Sequence, residues 1–297
     1  MSEFVMLVGL PGSGKSVVSQ SMGNHQVFSS DLLRKELWGD ESFQGNPNVI
    51  FNELRNRIKK ASDAGENCIL DATNLNSKKR KNFLKQLNLS PIVSKTVIVV
   101  ATSLQKCLEN NSIRERNVPE EVIQRMYRQF EFPLATEGWD YIHVKFPFGT
   151  EGSEAEYCYL VDKLDGLYDY DQGNEHHSMS LGEHLNICGE LWNRKHRHSL
   201  KYAGILHDIG KPQTRTELKA NRTNDGNAHY YDHQNTSAYE AMFWLEDMDA
   251  FNKETIQLIQ MHMLPYFYKH DLGKLKEKAG DLFRLLMELH ECDKLAH

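Results

Sequence analysis

The sequence predicts an α/β domain, a parallel sheet flanked by helices, followed by an all-α domain. Three observations carry this prediction. Apolar runs alternate with helix-length stretches through the first 150 residues, β-type runs are scarce beyond them, and 12 of the 14 histidines lie after residue 175. At about 150 residues per domain, a chain of 297 residues accommodates two.

Phe4 to Val8 is a short apolar run ending at a glycine turn, Asn67 to Leu70 precedes Asp71-Ala72-Thr73-Asn74, and Thr96 to Ala101 is rich in Val and Ile. Continuous apolar runs of this length suit parallel strands covered on both faces. Asn48 to Ala64 and Ser77 to Leu87 lie between them with helical character, which gives βαβ units. In the second half Ser180 to Trp192, Thr236 to Met248, Lys253 to His262 and Asp281 to Leu295 read as helices. The small, acidic stretch Gly149 to Glu156 reads as a loop. Domains are expected at 1–152 and 173–297, with a linker at 153–172.

Hydrophobic residues make up 40% and charged residues 26% of the chain, a composition that excludes disordered and collagen-like classes. No run reaches the roughly 18–20 apolar residues that span a bilayer, and Met1-Ser2-Glu3 lacks the basic start of a secretory signal, so a cytoplasmic protein without membrane contact is expected. The five cysteines (Cys68, Cys107, Cys158, Cys188, Cys292) form no C-x-x-C pair and suggest buried free thiols. Residues 1–150 carry 19 Lys and Arg against 16 Asp and Glu, whereas 151–297 carry 16 against 25. The first half is the better anion binder.

Gly9-Leu10-Pro11-Gly12-Ser13-Gly14-Lys15-Ser16 fits G-x-x-x-x-G-K-[ST] between an apolar strand and a helix start. Backbone N–H groups of such a loop, including those at Gly9, Gly12, Ser13 and Gly14, cradle phosphate oxygens. The helix N-terminus adds positive potential, Lys15 reaches the β/γ-phosphates and Ser16 ligates Mg²⁺. ATP and Mg²⁺ are therefore the expected cofactors of this half.

Asp31 and Arg34 stand three apart, on one side of a helical turn, where a carboxylate can accept a hydroxyl proton and a guanidinium can clamp an anion. An N-cap aspartate beside a surface arginine fits the same spacing. Asp71, with Asn74, ends an apolar strand where a carboxylate can orient a Mg²⁺ shell, although Asp, Thr and Asn also suit a plain turn. Arg114, Arg116, Arg125 and Arg128 lie within Ile113 to Phe130, a basic helical hairpin able to close over a triphosphate or to serve as a solvated face.

Together the glycine loop, the Asp31/Arg34 pair, Leu70 to Asn76, and Asn111 to Pro119 with Met126-Tyr127 resemble the 5′-hydroxyl polynucleotide kinase domain of phage end-healing enzymes, over most of residues 1–150. The resemblance implies that Asp31 is the general base for a 5′-OH. It also implies that Arg34 holds the acceptor's neighbouring phosphate and that Arg114 or Arg116 stabilises the transferring phosphoryl group.

In the second half, His207-Asp208 follows the apolar stretch Tyr202 to Leu206 and precedes Ile209-Gly210-Lys211-Pro212, which ends a helix. An adjacent His and Asp can bind metal together, the carboxylate bridging two ions through separate oxygens. His184 and Asp293 are further ligand candidates, with His233 and His262 in addition. The order H…HD…H…H…D is similar to that of the HD-domain phosphohydrolases, over about residues 173–297, a helical family using one or two divalent metals. Imidazole and carboxylate without thiolate suit Mn²⁺, Ni²⁺, Co²⁺, Fe²⁺ or Mg²⁺ better than structural zinc. Such a centre activates water and neutralises a phosphoryl oxygen, with Lys211 available to the same anion. His177 and His229 lie near these motifs.

The phage enzymes carry a D-x-D-x-[TV] phosphatase, and neither Asp169-Tyr170-Asp171-Gln172-Gly173 nor Asp247-Met248-Asp249-Ala250-Phe251 supplies its last residue. A kinase joined to an HD hydrolase suggests repair of nucleic-acid ends. The expected substrates are RNA ends before DNA, with 5′-OH on one side and 2′,3′-cyclic phosphate or 3′-phosphate on the other, and an RNA ligase is the expected partner. The alternative is a nucleotide or metabolite kinase fused to an HD nucleotidase.

Overall fold

The computed structural model describes residues 2–41, 43, 45–148, 164–174, 178–195, 200, 202–245 and 252–296. Cys158, His177, His196, His198, Asp247, Asp249, His297 and much of the expected linker fall outside these residues. The chain forms two compact units, Met1–Tyr127 with Pro133–Gly149, and Arg128–Phe132 with Thr150–His297.

The first unit runs β1 (Glu3–Val8), α1 (Lys15–Ser21), β2 (Gln26–Ser29), α2 (Ser30–Trp38), α3 (Pro47–Asp63), β3 (Cys68–Asp71), α4 (Ser77–Leu87), β4 (Ser94–Val100), α5 (Leu104–Ser112), α6 (Glu120–Arg128) and β5 (Tyr141–Lys145). Its sheet has the order β2-β3-β1-β4-β5 with every pair parallel. β1 is central because Phe4 to Val8 are wholly apolar and fully buried, as a strand covered on both faces requires. Val5, Leu7, Ile69, Ile98 and Val100 pack with Val18 of α1 on one face of the sheet. The two edge strands have no continuous apolar run to announce them: β2 is Gln-Val-Phe-Ser and β5 alternates as Tyr-Ile-His-Val-Lys. A parallel sheet sends the chain leaving every strand to one edge, so the segments after β1, β2, β3, β4 and β5 gather there. In doubly wound sheets that carboxyl edge is where ligands bind.

The second unit runs α7 (164–168), α8 (Leu181–Lys195), α9 (Tyr202–Leu206), α10 (Lys211–Thr214), α11 (His233–Trp244), α12 (Lys253–Met261), α13 (Leu264–Phe267), α14 (Leu272–Ala279) and α15 (Phe283–Leu295). It is helical apart from a two-residue antiparallel pairing of Arg215–Thr216 with His229–Tyr230. Lys211-Pro212 open a new helical turn rather than only ending the previous one, consistent with proline's fixed φ at a first helical position. Segment 128–132 belongs to this unit through side-chain amides of α11 and α12. Asn235 Nδ2 donates to the Arg128 carbonyl at 3.2 Å, Gln260 Oε1 accepts from Phe132 N–H at 3.0 Å, and the Phe130 ring meets Tyr239 edge-on at 4.8 Å.

Candidate active sites

The glycine loop follows β1 directly and ends in α1, whose N-cap is Gly14. Gly12 has φ +80°, and a Cβ there would lie 2.3 Å from the Cys107 carbonyl oxygen, so both backbone and space exclude a side chain. Gly9 N–H donates to the Thr73 carbonyl at 3.1 Å, joining the loop to the segment after β3. Lys15 Nζ lies over the loop, donating to the carbonyls of Gly9 (3.0 Å) and Leu10 (2.7 Å). Burial lowers its pKa, against the opposing pull of Asp71. The Asp71 carboxyl is raised by burial, with Lys15 and Arg114 opposing. Ser16 is exposed at the first turn of α1. The buried Ser13 hydroxyl lies close to Gly9, which leaves its backbone as the part able to face a phosphate.

Asp31 enters from the first turn of α2, where Ser29 caps the helix by accepting from Leu32 N–H. Arg34 Nη1 donates to Asp31 Oδ1 at 2.7 Å, and Arg116 Nη1 meets the second oxygen at 3.0 Å. Two guanidiniums thus grip one half-exposed carboxylate, and the sequence showed only the first of them to be adjacent. Arg114 and Arg116 lie in the loop between α5 and α6 rather than on a helix, so the expected hairpin is a loop followed by one helix. Arg125 is exposed on α6, outside this hydrogen-bonded cluster among the described residues.

Three residues to which the sequence reading gave no role of their own hold this arrangement. Buried Asn111 accepts from Val118 N–H (3.0 Å), donates to the Val118 carbonyl (2.8 Å) and bonds Asn117 Oδ1, closing the loop that carries both arginines. Its neighbour Asn110 donates to the Gly12 carbonyl at 2.9 Å, so consecutive residues of α5 tie down the arginine loop and the glycine loop. Arg80, with its side chain fully buried, pairs with Glu137 through two bonds of 2.8 and 2.6 Å and donates to the carbonyls of Asn74 and Leu75. Asn74 has φ +48° and donates to the Leu7 carbonyl at 2.8 Å, so it pins the segment after β3 to the end of β1. An asparagine near a helix end or a basic residue on a helix face leaves no sequence signal of such a role.

In the second unit α8 supplies His184, the turn after α9 supplies His207 and Asp208, α11 begins with His233, His262 follows α12, and α15 supplies Asp293. All six are buried. Gly210 permits this convergence, because a Cβ there would lie 2.5 Å from Ser237 N and 2.6 Å from the His233 carbonyl. Nε2 of His184 and Nε2 of His207 stand 3.1 Å apart, each within 3.4–3.6 Å of Asp208 Oδ2 and Asp293 Oδ1. On the other side, Nε2 of His233 and Nε2 of His262, 3.1 Å apart, lie 3.0 and 3.2 Å from Asp208 Oδ1.

Every one of these imidazoles turns Nδ1 to a backbone carbonyl: Ala296 for His184 (3.0 Å), Gly204 for His207 (2.8 Å), Tyr230 for His233 (2.7 Å) and Ile259 for His262 (2.8 Å). Nδ1–H donation fixes the tautomer in which Nε2 carries a lone pair. Four lone pairs and two carboxylates then converge in a buried space, and Asp208 Oδ1 accepts no hydrogen bond there. That donor set fits divalent cations: His184, His207, Asp208 and Asp293 would hold one, and Asp208, His233 and His262 a second. Burial alone would raise the Asp208 carboxyl, but the adjacent Lys211 ammonium opposes it, and the group is held well below the usual carboxylate range. Lys211 Nζ lies 2.7 Å from both Asp208 Oδ2 and Gln172 Oε1, and the Tyr266 hydroxyl donates to Asp293 Oδ2 at 2.8 Å. His229 pairs instead with Asp225 at 3.0 Å.

The family comparisons agree with this division. Residues 4–133 match the model described as AAA domain, and residues 174–296 the model described as HD domain. The chain is a P-loop kinase-type domain followed by an HD domain. Among individual proteins it is similar to L-seryl-tRNA(Sec) kinase of Methanococcus maripaludis, at 28% identity over 149 residues, 46% of this chain and 55% of that protein. The chain thus spans about half the length of this curated relative. Similar solved structures include a chain of the Pnkp1/Rnl/Hen1 RNA repair complex, 17% identical with a TM-score of 0.39 over 43% of each chain. Another is a gluconokinase from Sinorhizobium meliloti 1021, 14% identical with a TM-score of 0.36, over 50% of this chain and 83% of that one.

Proposed function

We propose that the protein heals nucleic-acid ends, RNA before DNA, phosphorylating a 5′-OH with ATP in its first unit and hydrolysing 2′,3′-cyclic phosphate or 3′-phosphate in its second. The observation that carries the kinase reading is Asp31 held between Arg34 and Arg116 (2.7 and 3.0 Å) in the same unit as Lys15 and Asp71. An ionised carboxylate is the group that takes a proton from an acceptor hydroxyl. The two guanidiniums bind the phosphates on either side of the transfer: Arg34 that of the acceptor strand, Arg116 or Arg114 the phosphoryl group in flight. Lys15 and the loop N–H groups hold the β/γ-phosphates, and Ser16 with Asp71 would hold Mg²⁺. The relative from Methanococcus maripaludis is named as a kinase of L-seryl-tRNA(Sec), which supports an RNA-borne acceptor.

In the second unit the six ligands would hold one or two divalent ions, which supply Lewis acidity and an activated water for phosphate ester hydrolysis. Lys211 places an ammonium at the same centre, able to pair with the phosphate under attack. An RNA ligase, which needs 5′-phosphate and a free 3′ end, is the partner that would use the products.

The test is to incubate the protein with ATP, Mg²⁺, Mn²⁺ and an RNA bearing 5′-OH and 2′,3′-cyclic phosphate, then map both termini. Lys15→Ala is expected to abolish 5′ phosphorylation alone and Asp208→Ala to abolish 3′ hydrolysis alone, while Asp31→Ala lowers transfer by about 10²-fold or more. Transfer to seryl-tRNA or to a sugar, with none to the RNA end, would overturn the kinase reading.

A further inference from the structure

α2 carries more than the Asp31/Arg34 pair. Asp31, Arg34 and Trp38 fall at i, i+3 and i+7 on one stripe of the helix, and all three are part-exposed rather than packed into the core. Gly39, with φ +74°, ends the helix, and Phe43 meets the Trp38 ring edge-on at 5.2 Å. Gly45 backs the pair, since a Cβ there would stand 2.6 Å from the Phe43 ring and 3.2 Å from that of Trp38. Phe43 is 52% exposed. The part-exposed Trp38 ring therefore stands about 6 Å of helical rise beyond a guanidinium already aimed at the reacting carboxylate, with the exposed Phe43 ring against it.

An occupant of this stripe must present an anion to Arg34 and a flat unsaturated ring to Trp38. A nucleotide does both, whereas a sugar or hydroxy acid carries no flat unsaturated ring. We propose that Trp38 with Phe43 is a stacking platform for the nucleobase of the nucleotide next to the acceptor 5′-OH, and hence that the kinase acceptor is a base-bearing strand. This rests on the end-healing reading above and specifies its substrate. Aromatic stacking tolerates any base, so the platform selects for a nucleic acid without selecting its sequence.

The test compares kinase kcat and KM for a 5′-OH hexaribonucleotide and for the same oligomer made abasic at its two 5′-terminal positions, using the full chain. Wild type is expected to favour the complete oligomer by about 5- to 150-fold in KM, the worth of one stacked base. Trp38→Leu should reduce that ratio to about 2-fold or less, and Trp38→Phe should restore most of it, with the KM for ATP unchanged in both. Equal use of the two oligomers by wild type, or an equal loss on both in Trp38→Leu, overturns the platform and leaves the end-kinase reading standing. Phosphorylation of neither oligomer, with transfer to a sugar or to seryl-tRNA, overturns both.

Discussion

Arg80 and Glu137 form an ion pair with both side chains essentially inaccessible to water (0% and 1%). Its value to the kinase unit is positional, because the same guanidinium also holds the carbonyls of Asn74 and Leu75 that shape the segment after Asp71. Removing one partner leaves the other charge buried alone, so Glu137→Gln should destabilise the kinase unit by about 3–5 kcal/mol in urea unfolding. Cys68 is buried against the carbonyls of Ile58 and Glu66, and burial pushes its thiol up to about 11. Since the thiolate is the nucleophile, Cys68 should resist alkylation in the native protein at pH 8 and react once it is unfolded. The folded pKa lies above the unfolded one, so the native state retains this proton longer. Its stabilising effect is complete below about pH 8.5, the ordinary thiol value, and is lost progressively as pH rises toward 11. Urea midpoints measured from pH 8 to 11, with Cys68→Ala as reference, read that loss.

At the scale of elements, the arginine loop between α5 and α6 owes its shape to Asn111. The part-buried Val118 N–H loses its partner in Asn111→Ala, a cost of about 1 kcal/mol. That cost falls on the geometry of Arg114 and Arg116 rather than on the glycine loop, which Asn110 holds separately. The expected outcome is a kinase kcat lowered by about 10-fold or more, with ATP affinity kept within about 2-fold. Isothermal titration with an ATP analogue and steady-state kinetics separate the two. α2 and β3 follow the same logic: each delivers one carboxylate, Asp31 or Asp71, because every strand of a parallel sheet ends on the same edge.

The molecule as a whole has two units, each with its own buried core and its own ligand chemistry. A ligand stabilises only the unit it binds, so two thermal transitions are expected. ATP with Mg²⁺ should raise one of them, Mn²⁺ at micromolar concentration should raise the other, and a chelator should lower only the second. At 100 times the dissociation constant the rise corresponds to about 2.7 kcal/mol. Scanning calorimetry of the wild type, Lys15→Ala and Asp208→Ala assigns each transition. No helix among the described residues is long and apolar enough to cross a membrane.

Local signals carried much of this structure. Phe4 to Val8 marks a strand buried on both faces because five consecutive apolar residues suit such a strand, and Gly9 to Ser16 marks the loop after it because backbone cradles need glycine at set positions. The order of His184, His207-Asp208, His233, His262 and Asp293 was readable as a candidate metal set for the same reason: few residue types can ligate a metal. What the chain could not announce is anything that depends on partners distant in sequence. The edge strands β2 and β5 are strands because β3 and β4 offer them an edge. Arg116 reaches Asp31 across 85 residues only once the sheet places both at one end. Segment 128–132 joins the helical unit through Asn235 and Gln260 rather than through any pattern of its own. Residue type and local periodicity are properties of the chain, whereas convergence is a property of packing, and it was packing that turned six scattered candidate ligands into two adjoining sets around one carboxylate.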